Sequence, residues 1–272
     1  MKKQIGLAFA ASLLSITIIG TASAADMAVK ARPMVAPPVV PGWQGFYIGG
    51  NVGAGWADTT FTGIPVTGDH FLLPGLSRST GWGDANVVGG IQAGYNWQWD
   101  RFVLGIEGTY SGSGVKNSTG IIVDPVFAGQ NTRLNSKIDQ YATIVGRAGF
   151  APTNDWLLYG KGGYAAGHIK THAEDFFPLP ATLQHFSDSS AWHNGWTAGV
   201  GVEYKWMRNW VFGVEYDYYS FDTKNHSNAT VSTVAGAPGA PTFYSQDVKT
   251  NMSTVVLRAS YLFNPAAVVA RY

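Results

Sequence analysis

The segment Asn86–Trp99 alternates between two kinds of side chain along almost its whole length. Ile91, Ala93, Tyr95, Trp97 and Trp99 form one set, and glycine, glutamine and asparagine occupy the positions between them. Successive side chains of a β-strand point to opposite faces, so the segment predicts a strand with one apolar and one polar face. Such a strand fits a transmembrane barrel, whose apolar face meets lipid, but a half-buried strand of a soluble sandwich alternates in the same way.

The spacing of seven further alternating segments distinguishes these two folds. They cover residues 43–56, 102–113, 138–150, 156–169, 196–206, 210–221 and 253–263. Short connections at residues 100–101, 151–155 and 207–209 alternate with long ones at residues 57–85, 114–136, 170–195 and 222–250. Tight periplasmic turns alternating with long external loops are typical of outer-membrane barrels. The sequence therefore predicts an all-β fold, an eight-stranded antiparallel transmembrane up-and-down β-barrel of the OmpA type.

The composition agrees with a barrel in a membrane. Charged residues make up 13% of the chain, against about a quarter in ordinary soluble domains. Aromatic residues make up 14%, and there are 34 glycines. Five tryptophans lie beside the short connections, where they predict an aromatic girdle at the periplasmic interface: Trp97, Trp99, Trp156, Trp206 and Trp210. The net charge of +1 gives no reason to expect a nucleic-acid partner.

The N-terminus predicts export from the cytoplasm. Lys2 and Lys3 precede an apolar run, and Ala22-Ser23-Ala24 matches a cleavage site, so residues 1–24 are expected to be a signal peptide. Residues 25–42 are expected to form a proline-rich leader, residues 43–263 the outer-membrane barrel and residues 264–272 a short tail. The chain has no cysteine, so disulfides do not stabilise it. The expected location is the outer membrane of a Gram-negative bacterium.

Charged residues fall on the faces assigned to the barrel interior. They are Glu107, Asp139, Arg147, Lys161, Glu203, Lys205, Glu215, Asp217 and Arg258. The interior of an eight-stranded barrel is just wide enough for side chains to fill, and isolated buried charges are very costly. We therefore expect a structural network of ion pairs and hydrogen bonds, with a narrow ion path as the alternative.

Histidines in or beside the third long connection are candidate ligands for haem iron or a metal. They are His168, His172 and His185, although their spacing matches no common zinc pattern. Solvated loop histidines are the simpler interpretation. The sequence contains no Gly-x-Ser-x-Gly nucleophile motif, and we predict neither catalytic residues nor an enzyme.

Several strand motifs resemble one bacterial family. Gly45-Phe-Tyr-Ile-Gly-Gly-Asn-Val-Gly, Gly89-Gly-Ile-Gln-Ala-Gly-Tyr-Asn-Trp-Gln and Gly195-Trp-Thr-Ala-Gly-Val-Gly-Val-Glu-Tyr are similar to the small outer-membrane β-barrel proteins of alphaproteobacteria. These are the porin-like outer-membrane immunogenic protein group, which includes haemin-binding members. Such proteins usually end on the aromatic residue of the last strand, whereas here a tail follows Phe263.

The function expected from the sequence is a structural or surface-interaction role in the envelope. The expected partners are outer-membrane lipid and lipopolysaccharide, the barrel-assembly machinery during insertion, and host surface molecules or haem at the loops. The first alternative is haem binding or weak porin-like uptake, and the second is a lipid-modifying barrel enzyme. No resident cofactor is expected, haem being the candidate if one exists.

Overall fold

The computed structural model describes residues 42–63, 76–123, 131–178, 181–229, 231–232 and 243–263. The expected signal peptide and tail, and the expected leader up to residue 41, lie outside these ranges. Within the described ranges, no helix has the length and apolar character needed to cross a membrane.

In the described residues, eight long antiparallel strands form a closed ring. They are β1 Gly45–Gly63, β2 Asn86–Trp99, β3 Phe102–Ser113, β4 Asn131–Phe150, β5 Trp156–Pro178, β6 Ala181–Trp206, β7 Trp210–Phe221 and β8 Phe243–Phe263. Each strand pairs with the next, and β8 pairs with β1 from Phe263 opposite Phe46 to Gln246 opposite Gly63. This last pairing removes the open edges of the sheet, so the predicted eight-stranded barrel is confirmed.

Tight turns join the strands at one end of the ring. Asp100 and Met207 adopt left-handed backbone conformations, with φ of 52° and 58°, which allows the chain to reverse within two or three residues. Gln98 Nε2 donates a hydrogen bond to the carbonyl oxygen of Asp100 at 2.7 Å. The Ala151 amide donates to the Arg101 carbonyl at 2.8 Å. The short connections predicted from the sequence are therefore turns.

At the opposite end, the expectation of long loops is wrong for much of the chain. The ladder between β5 and β6 continues from Trp156 opposite Tyr204 to Pro178 opposite Ala181, so most of residues 170–195 is strand. Short strands add to this end of the barrel: Ser77–Ser79, Lys116–Ser118, Ile122–Val123, Lys224–Ala229 and Val231–Ser232. Alternation is hard to see here in the sequence because the outward residues are polar and many inward ones are small or hydroxylated.

The extended end of the barrel has its own layered core. On four strands, inward positions two residues apart run from apolar to hydroxyl to apolar: Ala57-Thr59-Phe61, Ile138-Ser136-Leu134, Ile169-Thr171-Ala173 and Met252-Thr250-Val248. Hydrogen bonds join the hydroxyl layer, with Ser136 Oγ donating to Thr59 Oγ1 at 3.0 Å and Thr250 Oγ1 3.1 Å from Thr59 Oγ1. This part of the molecule is therefore packed like a small soluble barrel.

A β-bulge in β4 corrects one sequence expectation. The ladder to β5 pairs Ile138 with Ile169 and Gln140 with His168, which leaves Asp139 as the extra residue. The bulge changes the phase of the alternation, so Ile138 as well as Tyr141 lies inside. Asp139 is on the outer surface, not in the interior as strict alternation from Arg147 predicts.

The bulge predicts opposite results for two single-residue deletions in β4. Deleting Asp139 restores a regular ladder with Ile138 and Tyr141 still inside, so we expect a folded barrel with nearly unchanged urea resistance. Deleting Thr143 turns Tyr141 outward, with a loss of about 3 kcal/mol or more from the aromatic contacts. Migration of boiled and unboiled samples across a urea series measures both variants. Equal damage from the two deletions would contradict this register.

Candidate functional site

The outer surface of the barrel carries an apolar band between two aromatic belts. The lower belt, beside the short turns, contains the predicted Trp97, Trp99, Trp156, Trp206 and Trp210, all exposed. The upper belt contains Tyr110, Tyr164, Trp196 and Tyr218. Eight residues separate Trp156 from Tyr164, about 26 Å along the strand, which for a strand tilted by about 40° is a height of about 20 Å along the barrel axis, close to that of a barrel's lipid-facing band.

Arg258 is the centre of an ion network inside this band. Its guanidinium donates to the carboxylates of both Glu107 and Glu215, and its Nη1 also lies 3.2 Å from the Tyr159 hydroxyl. Its Nε lies 3.8 Å from Glu203 Oε1. These four partners of Arg258 come from four different strands, and each side chain points into the barrel. Side chains from distant parts of the chain therefore converge on one arginine.

Two further cations complete the network. Arg147 Nη2 donates to Glu203 at 2.7 Å, and Arg147 Nη1 lies 3.6 Å from Glu107. Lys161 Nζ lies 2.7 Å from Glu215 and 3.2 Å from Asp217. The structure thus brings together seven of the nine predicted interior residues: Glu107, Arg147, Lys161, Glu203, Glu215, Asp217 and Arg258.

Two tyrosines that the sequence pattern does not predict for the interior network belong to it. Tyr47 donates to Glu107 at 2.7 Å, and Tyr159 donates to Glu215 at 2.6 Å. Each ring lies against a glycine, because a Cβ on Gly94 would be 2.4 Å from the Tyr47 hydroxyl and one on Gly201 would be 2.5 Å from the Tyr159 ring. The signal in the sequence is an inward tyrosine facing an inward glycine on the next strand.

The other two predicted interior residues lie elsewhere. Lys205 is near the turn end of the barrel, where its Nζ donates to the Gly42 carbonyl at 2.7 Å and lies 4.5 Å from the centre of the Trp43 ring. Asp139 is on the outer surface, where its carboxylate lies 2.7 Å from both His168 Nδ1 and Lys170 Nζ. The expectation that Asp139 belongs to the interior network is therefore wrong.

The candidate haem ligands are not brought to one point. His168 and His172 both lie on the outer face of β5, where Asp139 and Asp188 accept from their Nδ1 atoms at 2.7 Å each. Four residues along a strand span about 13 Å, which is too far for the two imidazoles to be axial ligands of one iron. The side chain of His185 lies outside the described part of the structure. In that part, no cluster of three potential metal ligands is present.

Instead, the fold brings together two other histidines inside the barrel. His193 Nε2 and His226 Nε2 are 2.8 Å apart, with His193 Nδ1 2.9 Å from the Asp222 carbonyl and His226 Nδ1 3.0 Å from Thr171 Oγ1. The carbonyl requires a proton on His193 Nδ1, so in a neutral His193 the Nε2 atom accepts and His226 Nε2 donates to it. Thr171 then donates to His226 Nδ1, and two neutral imidazoles satisfy every contact of the pair.

The buried position of this histidine pair explains why the pKa of each imidazole is lowered. His193 lies three residues beyond Trp196, outside the apolar band, and both rings are buried beside the hydroxyl layer. Burial lowers the pKa of His226 to about 4, and the nearby His193 and Lys224 act in the same direction. Burial also lowers the pKa of His193, although the Asp222 carbonyl opposes the shift.

A closed antiparallel barrel with an apolar outer band, two aromatic belts and a charged interior defines an outer-membrane β-barrel protein. The sequence pattern of the outer membrane protein beta-barrel domain matches residues 14–237. The chain belongs to this family, and it is a protein of the outer membrane.

The similar proteins include outer-membrane immunogenic proteins of Brucella. The chain is 32% identical over 210 residues to the 31 kDa outer-membrane immunogenic protein of Brucella melitensis, covering 75% of this chain and 83% of that protein. It is 29% identical over 213 residues to the 25 kDa outer-membrane immunogenic protein of Brucella abortus, covering 77% and 81%. The resemblance stated from the strand motifs is confirmed.

Among solved structures, the outer membrane protein OprG from Pseudomonas aeruginosa aligns with a TM-score of 0.44 and 12% identity, over 83% of this chain and 99% of that one. The outer membrane protease OmpT from Escherichia coli aligns with a TM-score of 0.47 and 11% identity, over 80% and 97%.

The ion network predicts a large effect for a change at its centre. Glu107→Gln removes one carboxylate charge from beside three buried cations, so we expect unfolding to become easier by about 3–5 kcal/mol. Glu174→Gln is the matched control, because the Arg133–Glu174 pair at 2.8 Å is partly exposed and contributes about 1 kcal/mol or less. Urea midpoints in one detergent measure both, and a Glu107→Gln midpoint equal to that of the control would refute the role of the network.

The histidine pair predicts a dependence of stability on pH. The folded state holds the pKa of His226 near 4, below the ordinary value of 6.5, so between these values the unfolded chain binds more protons. Stability should therefore be fully present above about pH 6.5 and fall as the pH is lowered towards 4. His226→Gln should reduce this slope, whereas His172→Gln on the outer face should keep it. Urea unfolding at pH 7 and pH 5 tests both, and identical slopes in all three proteins would contradict the assignment.

Proposed function

We propose that this protein is a closed, non-conducting barrel that stabilises the outer membrane and presents its extended rim to the outside. The single observation that carries the proposal is the filled interior. An apolar layer that includes Trp43 and Leu262 lies next to the turns, the ion network follows, and the apolar layer around Tyr141 and Phe221 lies beyond it. Each layer lies across the route that an ion would take.

The interior spaces of the described barrel support this role. The cavity lined by Trp43, Arg147 and Glu203 has a volume of about 10 Å³, which is about the space that one water molecule needs. The charged groups beside it are engaged with one another and not arranged around an open path. A structural network is therefore a better interpretation than the narrow ion path, and weak porin-like uptake has little physical support.

The rim supports the surface-interaction part of the proposal. The strands continue well beyond the upper aromatic belt, and their layered core holds them in one shape. The Brucella relatives are named immunogenic proteins, a name that suits a barrel whose external end meets host molecules. Haem binding has weaker support, since His168 and His172 cannot share one iron. Catalysis by a lipid-modifying site has no motif to support it.

Electrical recording separates the closed barrel from a pore. In planar bilayers, the folded full chain should produce no discrete conductance steps at voltages where a wide porin, added as a control, gives regular ones. The filled interior is the physical reason, because conduction would require the ion network and two apolar layers to open together. Reproducible conductance steps whose number rises in proportion to the amount of folded barrel in the preparation would overturn the proposal.

A further inference from the structure

Three lysines lie side by side on the outer surface of the barrel. In the strand register, Lys116 is directly opposite Lys137, and Lys137 is directly opposite Lys170. Their inward neighbours Asn117, Ser136 and Thr171 are buried, so the three lysines point outward together. Adjacent strands are about 4.8 Å apart, which places three positive charges in a row of about 10 Å.

The row lies just above the membrane. The apolar face of β4 gives way to polar residues at Gln140, and the apolar face of β5 does so at His168. Lys170 is two residues beyond His168, about 7 Å along the strand. This height is that of lipid headgroups in the outer leaflet, beyond the belt marked by Tyr110 and Tyr164.

Like charges directly opposite each other destabilise a sheet, so a counter-charge would stabilise this row. Lys170 has one in Asp139, 2.7 Å away. Lys137 is half-buried between the two other lysines, and Lys116 is exposed. An anion placed over Lys116 and Lys137 would relieve the repulsion between them, and a phosphate group accepts hydrogen bonds from lysine ammonium groups.

The row forms the floor of a groove of about 880 Å³. One wall is the segment around Trp82, which is 53% exposed and is held in place by the Gly83 amide donating to the Ala57 carbonyl at 3.1 Å. The opposite wall includes His172, Asp188 and Ser190. Asn135 and Ser118 add hydrogen-bonding groups near the lysines. An exposed indole beside such groups offers an apolar surface for a sugar ring and polar partners for its hydroxyls.

We propose that this groove binds the phosphorylated sugar headgroup of lipopolysaccharide from the surrounding outer leaflet. Phosphate lies over Lys116 and Lys137, and a sugar ring packs on Trp82. Two carboxylates also line the groove, Asp84 and Asp188, and Asp188 accepts from His172 Nδ1 at 2.7 Å. They favour a ligand that presents sugar hydroxyls as well as phosphate over a simple anion. The inference rests on the proposed function only in taking this end of the barrel to be outside the membrane.

The test compares the binding of two forms of lipopolysaccharide by the full chain folded in detergent. One form keeps its phosphates and the other has been dephosphorylated. The double variant Lys116→Gln/Lys137→Gln should bind the phosphorylated form at least about tenfold more weakly than the wild type, which corresponds to about 1.4 kcal/mol. Lys249→Gln is the matched control, because Lys249 is an exposed lysine opposite Thr60, on strands that do not line the groove. It should bind like the wild type.

Two further measurements make the result decisive. Without lipopolysaccharide, the double variant should resist urea at least as well as the wild type, because the like-charge repulsion is gone, and this shows that it folds. Trp82→Ala should weaken binding of both forms, because the sugar contact does not depend on phosphate. Equal affinity of the double variant and Lys249→Gln, or equal affinity of the wild type for both forms, would overturn the proposal. Either result would leave the conductance measurement, and the closed barrel, unaffected.

Discussion

The structure depends on one requirement, that every backbone amide and carbonyl group in the hydrocarbon region must find a partner within the protein. The pairing of β8 with β1 meets this requirement by closing the sheet, from Phe263 opposite Phe46 onwards. Closure at eight strands then fixes the width of the interior. That width has room for side chains and little else, so the closure of the ring requires the interior to be filled by side chains.

The ion network is a consequence of this narrow interior. Polar faces turned away from lipid bring charges to the axis of the barrel, where each must find partners because water is largely excluded. Arg258 and Arg147 meet this need for partners by bridging carboxylates from several strands. Tyr47 and Tyr159 donate hydroxyl hydrogen bonds to carboxylates of the same network. Each of these contacts joins two strands that are not neighbours in the ring, so the network links the barrel wall across its interior.

Above the membrane the same ring continues under different physical conditions. Water can now solvate the outer face, so outward positions are polar, as at Lys137 and Lys170, while the interior remains sealed by apolar layers. The hydroxyl layer and the His193–His226 pair lie between those layers. Such an extension gives the outer face a fixed shape, which the groove proposed to bind lipopolysaccharide requires.

The sequence by itself determined the number of strands, the inward and outward faces of their membrane-spanning parts, and eight of the nine charges predicted for the interior, all except Asp139. It could do so because a strand has a strict period of two and lipid demands a uniformly apolar face. Only the tertiary structure decided which acid meets which base, that Asp139 leaves the interior at a bulge, and that His193 meets His226. It also decided that Lys116, Lys137 and Lys170 form one row, because the register between strands joins residues that no local pattern connects.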